Sequence, residues 1–110
     1  MEREQEQIDH IRQQGILPLF YHDDPVTCTG IAKALYDAGI RVIEFTNRGA
    51  KALENFKVLV KERTVSMPGL LLAAGTIKTA EHATQFIDAG ADVLISPVFD
   101  SAVCDVAYMH

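Results

Sequence analysis

Cysteine is scarce. Only Cys28 and Cys104 occur, far apart and outside any CxxC or Cys/His cluster. That spacing leaves two reduced thiols, expected on helices. The four histidines, His10, His22, His82 and His110, show no HExxH or other zinc-type spacing, so no metal site is expected. Basic charge is also in deficit. Ten Lys and Arg against fifteen Asp and Glu give a net charge of -5 and a pI near 5.2. Without a basic stripe, a nucleic-acid partner is not expected. The mild acidic excess says little else about partners. No apolar run approaches the roughly 18 residues of a membrane span. The start, Met1 to Gln14, is charged and glutamine-rich, unlike a signal peptide. A cytoplasmic protein without a membrane partner is the default reading. At 110 residues, 48% hydrophobic and 23% charged, the chain suits one domain. A complete α/β barrel, however, needs roughly 200 residues or more.

What is present is a regular beat. Met1 to Gln14 reads as a helix with Ile8 and Ile11 as its apolar anchors, suited to a surface or to covering a barrel end; Gly15 stops it. Ile16 to Phe20 is a first short apolar strand. Asp24 suits an N-cap and Pro25 the first helical position. Ile31, Ala34, Leu35 and Ala38 then recur at helical spacing until Gly39. Arg41 to Thr46 is a second strand, and Ala52, Leu53, Phe56, Leu59 and Val60 mark the next helix. Leu70 to Ala74 is a third strand, closed by Gly75-Thr76. Thr79 caps a helix carrying Ala83, Phe86 and Ile87, ended by Gly90. Asp92 to Ser96 is a fourth strand, and Ser101 to Met109 begins another helix.

The order is βαβαβαβα, with strands that are nearly all apolar from the second onward, as strands covered on both faces should be. Short strands alternating with helices imply a parallel sheet with right-handed crossovers. There is an internal echo. Asp37-Ala-Gly-Ile-Arg-Val-Ile-Glu-Phe-Thr46 matches Asp88-Ala-Gly-Ala-Asp-Val-Leu-Ile-Ser-Pro97 in pattern, 51 residues on, or two βα units. Such repetition favours a (βα)8 barrel of the TIM type over a doubly wound sheet, and no GxGxxG follows the first strand. Helix-Gly-strand junctions do look alike in any α/β protein, so the open sheet stays as the alternative. The expected organisation is an N-terminal helix over residues 1–14 and, over residues 15–110, about four βα units, the N-terminal half of such a barrel.

In parallel α/β folds the working residues sit at the carboxyl ends of strands. Alternation puts Val42, Glu44 and Thr46 on one face of the second strand, with apolar Ile43 and Phe45 on the other, towards the helices. Glu44 then points into the barrel, where a carboxylate is costly unless paired. It is either neutralised by Arg48 or Arg41, or held as a proton shuttle with a pKa shifted by burial. Arg48 lies just past the strand. It is either a surface arginine or a fork for a carboxylate or phosphate. In Ala73-Ala74-Gly75-Thr76, Gly75 lets the backbone approach a ligand. Thr76 adds a hydroxyl and an amide near the start of the next helix, where anions bind well; a plain turn is the bland alternative. Pro97 shapes the rim after Ser96, and Phe99 walls the pocket or simply packs. Neighbouring strands lie about 4.8 Å apart, so one small anion can touch an acid, a cation and a hydroxyl there.

With these residues in view, Gly15-Ile-Leu-Pro-Leu-Phe20, Ala38 to Arg48, Ala73 to Ile77 and Ala89 to Pro97 resemble the 2-keto-3-deoxy-6-phosphogluconate / 4-hydroxy-2-oxoglutarate aldolases. The resemblance runs from about Gly15 to the C-terminus, and the Glu-x-Thr-x-Arg segment, the Gly-Thr turn and the Ser-Pro strand end follow in order. It implies a class I aldolase, in which a lysine amine forms a Schiff base with a keto acid. The iminium then draws electrons from a breaking carbon-carbon bond, releasing pyruvate and an aldehyde. Carried over by motif, Glu44 is the general acid/base, Arg48 and Thr76 bind the pyruvate carboxylate, and Pro97 lines the pocket. No metal or organic cofactor is implied, the partner is a small keto-acid substrate, and the assembly is a homo-oligomer, typically a trimer. Two departures stand out: Ala73 where the family often has glycine, and Val98 after Ser96-Pro97 where it often has glycine.

The Schiff-base lysine of that family comes from a later strand, and the phosphate is held by loops of the last two. The fourth βα unit is where residue 110 falls, so these parts are expected outside the chain. Lys33, Lys51, Lys57 and Lys61 sit on helices. Lys78, near Thr76, reads as solvent-exposed. A half barrel has open sheet edges at its first and fourth strands, which invite association. Its inward face, read as Val42, Leu72, Ala74, Val93 and Ile95, lacks partners across the barrel. The alternative function is therefore a non-catalytic half barrel that binds small anions weakly or only self-associates.

Overall fold

The computed structural model describes residues 2–96 and residue 106. The elements are α1 (Glu2–Gln14), β1 (Leu19–Phe20), α2 (Pro25–Asp37), β2 (Val42–Thr46), α3 (Ala52–Ser66), β3 (Leu71–Gly75), α4 (Ala80–Ala89) and β4 (Val93–Leu94). The helix expected from Ser101 lies outside the described residues, apart from Val106, which is helical.

All pairings are parallel and the spatial order is β1-β2-β3-β4. Each βα unit adds its strand beside the last, always in the same direction. Helices α2, α3 and α4 contribute Cys28 and Ala32, Ala52, Phe56 and Leu59, and Ala83 and Phe86 to a single apolar cluster on one side of the sheet. A doubly wound sheet reverses its order at a switch point and carries helices on both faces. This arrangement is instead half of a (βα)8 barrel, preceded by α1.

The local chemistry explains where the helices begin and end. Asp24 Oδ2 accepts from the Thr27 amide at 2.9 Å, and Pro25 opens α2 where no amide is needed. Thr79 Oγ1 accepts from the His82 amide at 3.0 Å to start α4. At the two echo positions Gly39 and Gly90 are both left-handed, with φ of +102° and +113°, a conformation glycine adopts without steric cost. The 51-residue echo is thus a repeated backbone turn. Helix α1 covers the end of the sheet where the strands start. Gln14 Oε1 accepts from the amides of Arg41 and Val42 at 2.7 and 2.9 Å, and Gln7 Nε2 donates to the Asp92 carbonyl at 2.6 Å.

Strand faces divide by parity, with one correction. Ile43 and Phe45 belong to the helix-side cluster; Val42, Glu44 and Thr46 are buried but face the other way. Register aligns Ile43 with Leu72 and Phe45 with Ala74, and both β3 residues join that cluster. Leu72 and Ala74 therefore pack under the helices and do not face inward as expected. The inner face of β3 is Leu71, Ala73 and Gly75, the partners of Val42, Glu44 and Thr46. A ladder of aromatic rings ties the layers together: Phe45 to Phe56 at 6.3 Å and Phe56 to Phe86 at 5.2 Å. Burying each such ring contributes roughly 1.5–3 kcal/mol.

β1 is shorter than the apolar run Ile16 to Phe20. Only Leu19 and Phe20 pair fully, although the Pro18 carbonyl still accepts from the Glu44 amide at 2.9 Å. Ile16 and Leu19 are 62% and 53% exposed, which leaves that edge apolar and open among the described residues.

Candidate active site

The carboxyl ends of β2 and β3 form the candidate site. Thr46 pairs with Gly75, and the Asn47 amide donates to the Gly75 carbonyl at 2.8 Å, carrying the ladder one step past the strands. Arg48 stands two residues beyond β2 and Thr76 one residue beyond β3, so both lie at the same edge of the sheet. Glu44 lies one pleat deeper on the inner face.

Glu44 is 8% exposed and makes no hydrogen bond or ion pair among the described residues. Burial holds its carboxyl above the ordinary glutamate range, and the nearby Arg48 charge pulls the other way. Arg41, the other neutralising candidate, is occupied elsewhere. Its guanidinium lies 3.9 Å from the Tyr36 ring centre and donates to the Tyr36 carbonyl at 2.8 Å. What holds Glu44 in place is a missing side chain. A Cβ built on Gly75 would stand 1.8 Å from Glu44 Oε2 and 2.6 Å from its Cδ. Gly75, expected to admit a ligand to the backbone, makes room for the Glu44 carboxyl.

Thr76 has a φ of +58°, the one non-glycine residue in the left-handed region among the described residues. For a β-branched residue this conformation costs about 1–2 kcal/mol, and such strain collects at ligand sites. Its amide lies three residues before Thr79, the residue that caps α4. Arg48 is exposed and Lys78 is exposed. Lys33 is paired with Asp37 at 2.7 Å. Pro97 and Phe99 lie outside the described residues, as does Cys104. Cys28 is a buried free thiol in the α2 core, its pKa raised chiefly by burial.

Sequence reasoning missed three features of this edge. Thr46 is 1% exposed and its hydroxyl has no partner. Asn47 Nδ2 lies 3.4 Å from His82 Nδ1, joining the β2 loop to α4. Tyr21, at the top of β1, occupies the space above Gly49, where an added Cβ would stand 2.2 Å from its hydroxyl oxygen. The glycines at 49 and 75 mark places where a neighbour can come close, without saying which one.

The family model described as "Aldolase: KDPG and KHG aldolase" matches residues 8–109. The chain belongs to this family. It is 33% identical over 97 residues to the 2-dehydro-3-deoxy-phosphogluconate aldolase of Pseudoalteromonas atlantica, covering 88% of the chain and 43% of that protein. The Escherichia coli K12 KHG/KDPG aldolase is 34% identical over 67 residues, 61% of the chain and 30% of that enzyme. Among solved structures, the 2-keto-3-deoxy-6-phosphogluconate aldolase of Zymomonas mobilis ZM4 with 3-phosphoglycerate superimposes with a TM-score of 0.73 at 29% identity, over 84% of the chain and 42% of that structure. The chain spans under half the length of these KDPG and KHG aldolases. The family is one of aldolases, and the described part of this chain carries four parallel strands of such a barrel. No helix among the described residues is long and apolar enough to cross a membrane, and no cluster of three metal-ligating side chains occurs among them.

Proposed function

We propose that this chain carries the proton-transfer and carboxylate-gripping part of a class I aldolase that cleaves a 2-keto-4-hydroxy acid to pyruvate and an aldehyde. The observation that carries the reading is Glu44: an unpaired carboxyl on the inner face at the strand tops, seated over Gly75 and pushed towards its protonated form. A general acid/base works best with a pKa close to the operating pH, and burial moves this one in that direction. Arg48 supplies the charge and fork for the keto-acid carboxylate. Thr76, held in a strained backbone, supplies a hydroxyl beside it, and Pro97 lines the rim. The Schiff-base amine belongs to a later strand of the family's barrel; Lys78 is exposed to solvent and lies outside this reading. Neither metal nor organic cofactor takes part. The substrate is a small keto acid. A homo-oligomer, a trimer in the family's manner, and a cytoplasmic setting complete the reading.

A second reading, a non-catalytic half barrel that only associates or binds anions weakly, draws on the exposed Ile16 and Leu19 at the β1 edge. Pyruvate titration followed by amide NMR separates the two. The first reading expects saturable shifts at Glu44, Arg48 and Thr76, weakened at least tenfold by Arg48→Ala, since a hydrogen bond to a charged group is worth about 1.5–3 kcal/mol. Borohydride treatment with pyruvate should leave this chain without a covalent adduct. No saturable shifts, with self-association in sedimentation, would support the second reading instead.

A further inference from the structure

Three buried polar side chains lie in the described part of the chain: Glu44, Thr46 and Asn55. Asn55 is fully explained, because its Nδ2 donates to the carbonyls of His22 and Asp23 at 3.1 and 2.8 Å and so fixes the loop after β1. Glu44 is explained by the site. Thr46 is not. Its hydroxyl is sealed from solvent and has no hydrogen-bond partner, although the backbone at this position is paired in the sheet.

A buried hydroxyl without a partner is uncommon and unfavourable. Valine has nearly the same shape, favours strands equally, and would fill the same space without the penalty. Two structural accounts of the hydroxyl fail. It does not bridge to a neighbouring strand, because the residue opposite is Gly75, which has no side chain. Nor does it bond Glu44, whose carboxyl makes no hydrogen bond. What remains is its position. Thr46 shares the inner face with Glu44, about 7 Å further along the strand, and lies two residues before Arg48. A small molecule anchored at Arg48 and Thr76 and reaching down to Glu44 runs along the face that carries Thr46, and meets its hydroxyl once the packing that covers it gives way.

We infer that Thr46 is a ligand-contacting residue, its Oγ–H donating a hydrogen bond to an oxygen of the bound keto acid that the free chain leaves unmade. This rests on the keto-acid reading above and adds to it a third polar contact, between the carboxylate grip and the proton shuttle. The unmade bond in the free chain is the feature that separates it from a structural threonine. Removing the hydroxyl leaves the empty protein intact and weakens only the complex.

The test uses Thr46→Val and Thr46→Ser in the full 110-residue chain, with urea unfolding in the absence of ligand and NMR titration with sodium pyruvate. Thr46→Val is expected to unfold at an equal or higher urea concentration than the parent, yet to bind pyruvate five- to tenfold more weakly. Thr46→Ser, which keeps the hydroxyl, is expected to bind within twofold of the parent. Equal pyruvate affinity for the parent and Thr46→Val would overturn the inference while leaving the keto-acid site standing. A lower unfolding midpoint for Thr46→Val would also overturn it, since the hydroxyl would then be serving the fold. If the parent itself does not bind pyruvate, the keto-acid reading fails, and this inference with it.

Discussion

Gly75→Ala is the sharpest probe of how Glu44 is seated. The new methyl carbon would meet Glu44 Oε2 at 1.8 Å, Cδ at 2.6 Å and Cγ at 2.9 Å, whereas ordinary contact starts at 3.4 Å. Three atoms of one side chain are struck, so a rotation of the carboxyl alone does not clear it, and the whole of Glu44 has to swing away. Gly75 is itself buried and paired with Thr46, so the strand cannot retreat instead. Overpacking of this kind costs about 1–3 kcal/mol. Gly75 does not have a positive φ, so alanine is otherwise tolerated there and gains about 0.4–1 kcal/mol through the unfolded chain. The two effects separate in a double-mutant cycle with Glu44→Ala. In the parent background Gly75→Ala should destabilise by about 1–2 kcal/mol. In the Glu44→Ala background it should be neutral or stabilising, giving a coupling above about 1 kcal/mol. Urea unfolding measures all four chains. A Gly75→Ala penalty that is the same with and without the Glu44 side chain would refute the reasoning, because the clash would then lie elsewhere.

Two further outcomes follow from the same edge. Glu44 has a folded-state pKa above its ordinary value of 4.5, through burial, so the folded chain holds a proton that the unfolded chain releases between the two values. Stability should therefore fall as pH rises from about 4.5 through the folded pKa; Glu44→Gln should flatten that part of a pH-dependent urea series, and an unchanged slope would contradict it. Thr76→Gly should relieve the left-handed strain, leaving the chain equally stable or up to about 1 kcal/mol more stable, while weakening pyruvate binding; thermal unfolding and titration read the two effects, and a clear loss of stability would show that the φ of +58° is not strained.

Much of this architecture is readable from the residues. Asp24-Pro25, Thr79, Gly39 and Gly90 mark helix ends through chemistry that acts within a few residues. β2 declares its faces because Glu44 and Thr46 alternate with Ile43 and Phe45. β3 does not, since Leu71-Leu72-Ala73-Ala74 is apolar at every position and parity has nothing to grip; only pairing with β2 shows that Leu72 and Ala74 lie under the helices. The short β1 was equally hidden, because an apolar run reports what can be buried and not how many of its residues find a pairing partner. Among the proposed site residues, Glu44 and Arg48 are accessible to sequence reasoning because charge and position coincide at a strand end, and Thr76 because it follows Gly75 at the end of the third strand. The role of Gly75 is not, because a glycine is silent about which neighbour needs its space.

The inner face also has an economy that bears on mechanism. Across β2 and β3 it alternates a small or absent side chain with a polar one: Glu44 stands opposite Ala73, and Thr46 stands opposite Gly75. Each polar group is thereby given room by the neighbouring strand without being given a partner. A fold optimised for stability would fill that room with apolar side chains or pair the polar ones. A largely buried carboxyl and a sealed hydroxyl, both without a protein partner among the described residues, make sense if their hydrogen bonds are completed by something that comes and goes. The unpaired state costs stability in the empty chain, and under the proposed function the same unmade bonds are what a keto acid would gain on entering. The proposed site is thus defined less by any one reactive residue than by two polar groups without a protein partner, set against two strand positions that carry a methyl or nothing.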